Sequence, residues 1–369
     1  MFIINSFKSL LLIPIYSLSI TKSLLQTALS ILHNLFTNHN HNFFSTTTLV
    51  DHLLSFYFSY HGLKPCTINL HDQDHTSIHI WIPTHPTTTT TTSRPAIVLL
   101  HGYGGNAKWQ LYRQIGPLSR DFDLYVPDLV FFGNSHSKSL HRTVSFQARS
   151  VMEAVRRVGV ERVAAVFGVS YGGYVAYRMA EMYGEAVVEK VVVVSSGIGC
   201  TEEQRVEELR KFGGIDRVVE ILVPENPKDL RMLMDLAFYR PPLAPTPTFV
   251  LRDFINVMGS AYINERRQIL HELLTVDSGR PCPVLEQETL ILWGDKDKVF
   301  PMFLAYQLAR HLGKKSRVEI LKDVGHAANL EAADGVNRLV KSFVLDSFMY
   351  ETSTNLTSKF YVVVLSPSN

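Results

Sequence analysis

Ser170 sits in Gly168-Val169-Ser170-Tyr171-Gly172, after the apolar run Val163-Ala164-Ala165-Val166-Phe167 and before a helix-patterned stretch from Tyr174 to Tyr183. Strand, tight turn and helix in that order put a serine at the apex of a sharp bend. There the backbone is strained, the hydroxyl stands clear of the sheet, and glycines two residues to either side leave room for the bend. Such a serine can act as a nucleophile if three more parts are present. It needs a base for its proton, a carboxylate that orients the base, and two backbone N–H groups aimed at the oxyanion that forms on attack. A lone G-x-S-x-G occurs by chance, so the remaining parts carry the weight.

The chain offers each of them. Asp297 follows the strand-like Leu290-Ile291-Leu292-Trp293, within Gly294-Asp295-Lys296-Asp297, and His326 follows the strand-like Val318-Glu319-Ile320-Leu321, within Val324-Gly325-His326. Asp295 competes for the carboxylate's place, because aspartate also favours turns for its local hydrogen bonding alone. One oxyanion donor would be the N–H of Tyr171, directly after the nucleophile. The other is assigned to Tyr103, in the loop His101-Gly102-Tyr103-Gly104-Gly105 after the strand Ala96-Ile97-Val98-Leu99-Leu100. Glycines let that loop approach a substrate carbonyl closely, with donors about 2.7–3.1 Å from the oxyanion. His101 precedes Ser170 and directly follows a buried strand, so holding the loop by hydrogen bonds fits it better than the role of base.

Serine turn, His-Gly loop, Asp and His together resemble the α/β-hydrolase superfamily, in which the chain order is Ser, Asp, His, unlike the orders of two unrelated serine protease folds. More narrowly, Val126–Ser135, Trp293–Pro301 and Gly325–Glu331 resemble plant hydrolases related to monoacylglycerol lipases, and the resemblance runs from about Leu49 to Leu345. It implies an α/β-hydrolase fold, a mostly parallel central sheet with helices on both faces and an inserted helical lid. By the family's spacing Asp297 is the acid, and Asp128 is structural, organising the turn towards Gly133. Serine at position 170 argues against the epoxide hydrolases and haloalkane dehalogenases, which carry aspartate there. The His-Gly-Tyr-Gly loop fits small esterases and monoacylglycerol lipases better than the branch with an HGGG loop.

The expected activity is therefore a serine hydrolase acting on a carboxylic ester, with a small lipophilic ester as substrate and no cofactor. The same constellation serves methylesterases, thioesterases, peptidases and C–C hydrolases. A further alternative is a small-molecule receptor on the same scaffold, with weak turnover and a ligand-dependent partner.

The elements that must position these residues follow from pattern and composition. A chain of 369 residues with 46% hydrophobic content can bury a sizeable core. Residues 49–195 alternate strand-like and helix-like segments, as in a largely parallel sheet. Residues 196–285 are helix-patterned and interrupted by prolines, the expected lid, with Phe238, Phe249, Phe254, Ile255 and Met258 available to roof an acyl pocket. Residues 286–345 return to strand and helix, and 346–369 form a tail. Thr87–Thr92 reads as a solvated loop.

Net charge of +2 without a Lys/Arg-rich run gives no case for nucleic acid. Cys66, Cys200 and Cys282 form no metal pattern, and His33, His39, His41 and His52 lie among Asn and Thr that read as loop, so no metal is assigned. Residues 1–48 form a separate apolar and amphipathic extension. From Leu18 onward, Leu25, Ala28, Leu29, Leu32, Leu35 and Phe36 share one helical face. Contact of residues 1–36 with a membrane surface is the favoured expectation, with cleavage, packing against the lid, or disorder as alternatives. A cytoplasmic location holds otherwise, and the oligomeric state is left open.

Overall fold

Short aliphatic runs form the centre of the molecule. The computed structural model describes residues 45–86, 94–241, 246–276 and 282–345, and the backbone of 364–365. The strands are β1 (Leu63–Asn69), β2 (Ser77–Pro83), β3 (Ala96–Leu100), β4 (Asp123–Pro127), β5 (Ala165–Val169), β6 (Lys190–Val194), β7 (Glu288–Gly294), β8 (Ser316–Leu321) and β9 (Val364–Leu365). They form one nine-stranded sheet in the order β1-β2-β4-β3-β5-β6-β7-β8-β9. β2 pairs antiparallel with β1 and β4, and every other pairing is parallel.

β3 and β5 are apolar along their whole length, and β6 from Val191 to Val194, because both faces are covered. Val98 and Leu100 of β3 pack into one core and Ile97 and Leu99 into the other, and β6 divides in the same way between Val191 and Val193 and Val192 and Val194. Helices α1 (Thr46–Tyr60) and α2 (Ala107–Leu118) cover one face, and α3 (Val144–Arg157) and α4 (Tyr171–Tyr183) the other. The helix after the serine turn thus starts three residues before the expected Tyr174. The preceding strand is also displaced, since Val163 makes only an isolated bridge to Val188.

Between β6 and β7 the chain leaves the sheet through α5 (Glu202–Lys211), α6 (Ile215–Leu222), α7 (Pro227–Ala237), α8 (Thr248–Phe254), a π-helical turn Ile255–Gly259, and α9 (Ile263–Thr275). A reciprocal capping box of Thr201 and Gln204 starts α5. Pro227 opens α7, where its missing N–H has no intrahelical partner to lose. Val219, Val223 and Leu270 give this excursion a small core of its own. The chain then closes with α10 (Phe303–Leu312), α11 (Ala328–Glu331) and α12 (Ala333–Leu345).

Helix α1 runs across residues 48 and 49. Its buried stripe Val50, Leu54 and Phe58 has helical spacing, and Ser45 caps its start by accepting from the Thr48 N–H. The first turn has no acidic residue of its own. Asp253 of α8 takes that place, accepting from Thr46 Oγ1 at 3.0 Å and from the Thr47 N–H at 2.8 Å. A carboxylate at a helix N-terminus is favourable, so the excursion is fastened to the core there. The expected surface helix in residues 1–36 and the loop Thr87–Thr92 lie outside the described residues. Among the described residues no helix is long and apolar enough to cross a membrane.

Candidate active site

Parallel neighbours end at a common edge, and here β3, β5, β7 and β8 deliver His101, Ser170, Asp297 and His326 to the same side of the sheet. Ser170 has φ 51° and ψ −113°. That conformation costs a non-glycine residue about 1–3 kcal/mol, so the surroundings must impose it. They do so by close backbone contact: a Cβ on Gly168 would strike the Gly172 carbonyl, and one on Gly172 would lie 2.5 Å from the carbonyl oxygens of Leu100 and His101.

Ser170 Oγ lies 2.9 Å from His326 Nε2, and His326 Nδ1 lies 2.9 Å from Asp297 Oδ2. With Nδ1 donating to the carboxylate, Nε2 is left to accept from the serine hydroxyl. The Asp297 side chain is fully buried, and its second oxygen accepts from the N–H groups of Val299 at 2.8 Å and Phe300 at 2.9 Å. Asp295 is placed otherwise. It pairs with Lys296 at 3.1 Å and accepts weakly from the Val324 N–H at 3.4 Å.

The His326 loop is gripped from both sides of the ring. The N–H of Gly325 donates to Glu331 Oε2 at 2.6 Å, and the N–H of Ala327 donates to the Ala237 carbonyl of α7 at 2.8 Å. Glu331 also accepts from the N–H groups of Tyr239 at 3.1 Å and Arg240 at 2.9 Å. One carboxylate therefore joins the histidine loop to the excursion.

In the opposite wall, the Tyr103 ring meets Tyr171 edge-on at 5.9 Å and Phe132 at 5.1 Å, and its hydroxyl donates to the Arg266 carbonyl of α9 at 2.6 Å. Burial holds that phenol well above its usual pKa, so it stays protonated. Among the described residues no acceptor takes the Tyr103 N–H. His101 is fully buried: its Nε2 accepts from the Leu129 N–H at 3.0 Å, and its Nδ1 donates to the Gly102 carbonyl at 2.7 Å. Burial lowers its pKa, in keeping with a neutral ring that holds the loop.

Asp128 lies beneath this loop. It accepts from the Ala107 N–H at the start of α2 (2.9 Å), the Asn134 N–H (3.1 Å) and His79 Nδ1 (3.1 Å). Burial alone would raise its pKa, but the His79 hydrogen bond and these partners bring it below the usual aspartate value. A Cβ on Gly133, φ 53°, would run into its carboxylate, which accounts for the glycine of that turn.

Ser170 and His326 open onto a cavity of about 1260 Å³ with a mostly apolar wall. Phe238, Phe254, Ile255 and Met258 line it, whereas Phe249 points outward and is 57% exposed. Period alone could not separate the two faces of so short a helix as α8. Thr46, Thr47, Val50 and Leu54 of α1 complete the wall. Two further residues shape this site without belonging to a catalytic motif of the sequence. Gln110 binds the His101–Gly105 loop, and its one signal is its place just inside the helix that follows. Glu331 closes the Gly325–Glu331 segment, and its acidic side chain shortly after His326 is the one signal the sequence offers.

Residues 95–333 match the α/β-hydrolase fold family. A Pseudomonas 2-hydroxy-6-oxononadienedioate/2-hydroxy-6-oxononatrienedioate hydrolase is 27% identical over 263 residues, covering 67% of this chain and 87% of its own. Among solved structures, a bacterial membrane phospholipase A superposes with a TM-score of 0.65 at 22% identity, over 89% of this chain and all (100%) of its own. The 2-hydroxy-6-oxo-6-phenylhexa-2,4-dienoate hydrolase of Rhodococcus sp. strain RHA1 gives 0.62 at 21%, over 76% and 98%. With the family matched over most of the sheet and its active edge, the chain belongs to the α/β-hydrolase fold family.

Proposed function

We propose that the protein is a serine hydrolase that cleaves a carboxylic ester of a lipophilic, monoacylglycerol-like substrate. The observation that carries this reading is the hydrogen-bonded chain Ser170–His326–Asp297 opening onto the apolar cavity. Its volume of about 1260 Å³ exceeds the roughly 300–1,000 Å³ of ordinary small-molecule sites, which suits a long or bulky uncharged chain.

In this mechanism His326 Nε2 takes the proton from Ser170 as Oγ attacks the ester carbonyl, and Asp297 orients the imidazole and stabilises its charged form. The N–H groups of Tyr103 and Tyr171 stabilise the tetrahedral oxyanion. Among the described residues no acceptor competes for the Tyr103 N–H, which is compatible with this role. His326 then gives its proton to the leaving alcohol, and water hydrolyses the acyl-enzyme by the same route. The helices between β6 and β7 act as the lid that keeps water from the acyl chain. Residues 1–36 bring the protein to a membrane surface, where such esters reside.

A second reading, hydrolysis of a carbon–carbon bond, is favoured by the identity to the 2-hydroxy-6-oxononadienedioate hydrolase. Labelling with a fluorophosphonate, followed by turnover of p-nitrophenyl and monoacylglycerol esters beside 2-hydroxy-6-oxononadienedioate, separates the two. Ester turnover that requires Ser170 is expected. Turnover of the dienoate with negligible ester hydrolysis would replace the first reading by the second, and labelling without turnover of either would favour a receptor.

A further inference from the structure

Gln110 lies in the first turn of α2, with its carboxamide spread along the His101–Gly105 loop. Oε1 accepts from the Gly102 N–H at 2.8 Å. Nε2 faces the carbonyl oxygens of Gly102 at 3.3 Å, Tyr103 at 3.4 Å and Gly104. The amide orientation follows from these partners, because a flipped carboxamide would set its NH₂ against an N–H and its oxygen against carbonyls.

The Gly102 carbonyl is thus held by two donors, Gln110 Nε2 and His101 Nδ1. In a trans peptide the N–H points opposite to the C=O. Holding the Gly102 carbonyl on one side therefore turns the Tyr103 N–H to the other. Gly102 abuts the nucleophile, for a Cβ added to it would lie 3.4 Å from the Ser170 Cβ. The same helix also fixes the histidine segment: the Gln110 backbone carbonyl accepts from Asn329 Nδ2 at 2.6 Å, and Gln114 Nε2 donates to the Asn329 carbonyl at 2.8 Å. Donor loop and base are both referred to α2.

We propose that Gln110 is a positioning residue for ester hydrolysis, whose carboxamide sets the Gly102–Tyr103 peptide so that the Tyr103 N–H meets the oxyanion. The proposal rests on the serine-hydrolase reading above. A group that acts only through this donor affects the tetrahedral state and leaves the bound ester alone.

The test compares wild type, Gln110→Met and Gln110→Glu with p-nitrophenyl octanoate as substrate, octylboronic acid as a tetrahedral mimic and 1-octanol as a ground-state competitor. For Gln110→Met, kcat is expected to fall about 10- to 100-fold with KM nearly unchanged. Octylboronic acid should weaken by a similar factor while 1-octanol binds as before. Gln110→Glu keeps an acceptor for Gly102 but sets a carboxylate oxygen against the carbonyls, and it should show the same split; it carries the test if Gln110→Met does not fold. A folded variant with unchanged kcat and boronate affinity overturns the proposal, as does equal weakening of boronate and octanol, which would mean general damage to the cavity. Wild-type protein whose Ser170 fails to react with a fluorophosphonate overturns the serine-hydrolase reading itself. Reactive Ser170 with an indifferent Gln110 overturns the positioning role alone.

Discussion

Glu331 accepts the N–H of Gly325 at 2.6 Å, so the residue preceding His326 hangs from a carboxylate that also holds Arg240 of the excursion. Removing that anchor should loosen the imidazole-bearing loop more than the fold. Glu331→Ala is expected to lower kcat about 10- to 100-fold, in line with the cost of small misplacements of catalytic groups. Stability should fall by about 1–3 kcal/mol, as for buried donors left unmatched. Steady-state kinetics beside urea unfolding would check this, and an unchanged kcat would show that the loop keeps its place unaided.

Ser170 holds a left-handed φ of 51°. Glycine adopts that region freely, so Ser170→Gly should stabilise the protein by about 1 kcal/mol while abolishing turnover. Ser170→Ala should abolish turnover without the gain. Calorimetry of the pair with a fluorophosphonate labelling gel tests both halves, and residual wild-type esterase activity in Ser170→Ala would refute the mechanism.

The two neighbouring carboxylates make a sharp comparison. Asp297→Asn should reduce kcat by about 10⁴-fold, because the amide no longer holds the imidazole in the required tautomer. Asp295→Asn, which touches the His326 segment only through the long Val324 N–H contact and not the imidazole, should stay within about three-fold of wild type. A reversed order would reassign the acid.

Asp128 supplies a dependence on pH. Its folded pKa lies below the ordinary aspartate value of 3.8, so its contribution to stability is fully present above that value and is lost as pH falls through the folded pKa. Asp128→Asn should therefore cost about 3 kcal/mol near neutrality, as when one partner is removed from a buried network. The gap to wild type should shrink only in the acid range. Urea unfolding across pH would detect it, and a gap independent of pH would mean the loss is one of shape.

Fractionation of the full chain against a protein starting at Leu49 addresses the N-terminal extension. Vesicle or membrane association that disappears with the extension is expected, and equal solubility would remove the membrane role. A start at Ser45 is the better-controlled version, because it leaves the cap of α1 intact.

Much of this architecture was legible because it has a period or a rigid local grammar. The runs at Ala96–Leu100 and Val191–Val194 are apolar on both faces, and the glycines around Ser170 answer to steric limits that follow from residue type alone. Gln110 and Glu331 were not legible in the same way. Both act on backbone N–H and C=O groups, which every residue carries, so no pairing of side-chain types announces them. Phe249 shows the matching weakness for apolar residues, since in α8 only the packed structure tells which face meets the cavity. Helix α1 had a signal in Val50, Leu54 and Phe58, but its meaning depends on Asp253, some two hundred residues away in the chain.

That fastening of α1 separates the border of the family from the border of the working unit. The family match begins at residue 95, whereas part of the cavity wall comes from Thr46, Thr47, Val50 and Leu54. A polypeptide trimmed to the shared segment would retain Ser170, Asp297 and His326 yet present them to an enclosure missing one side. Under the proposed hydrolase activity, substitutions along Thr46–Tyr60 are thus a route to altered substrate choice that leaves Ser170, Asp297 and His326 untouched.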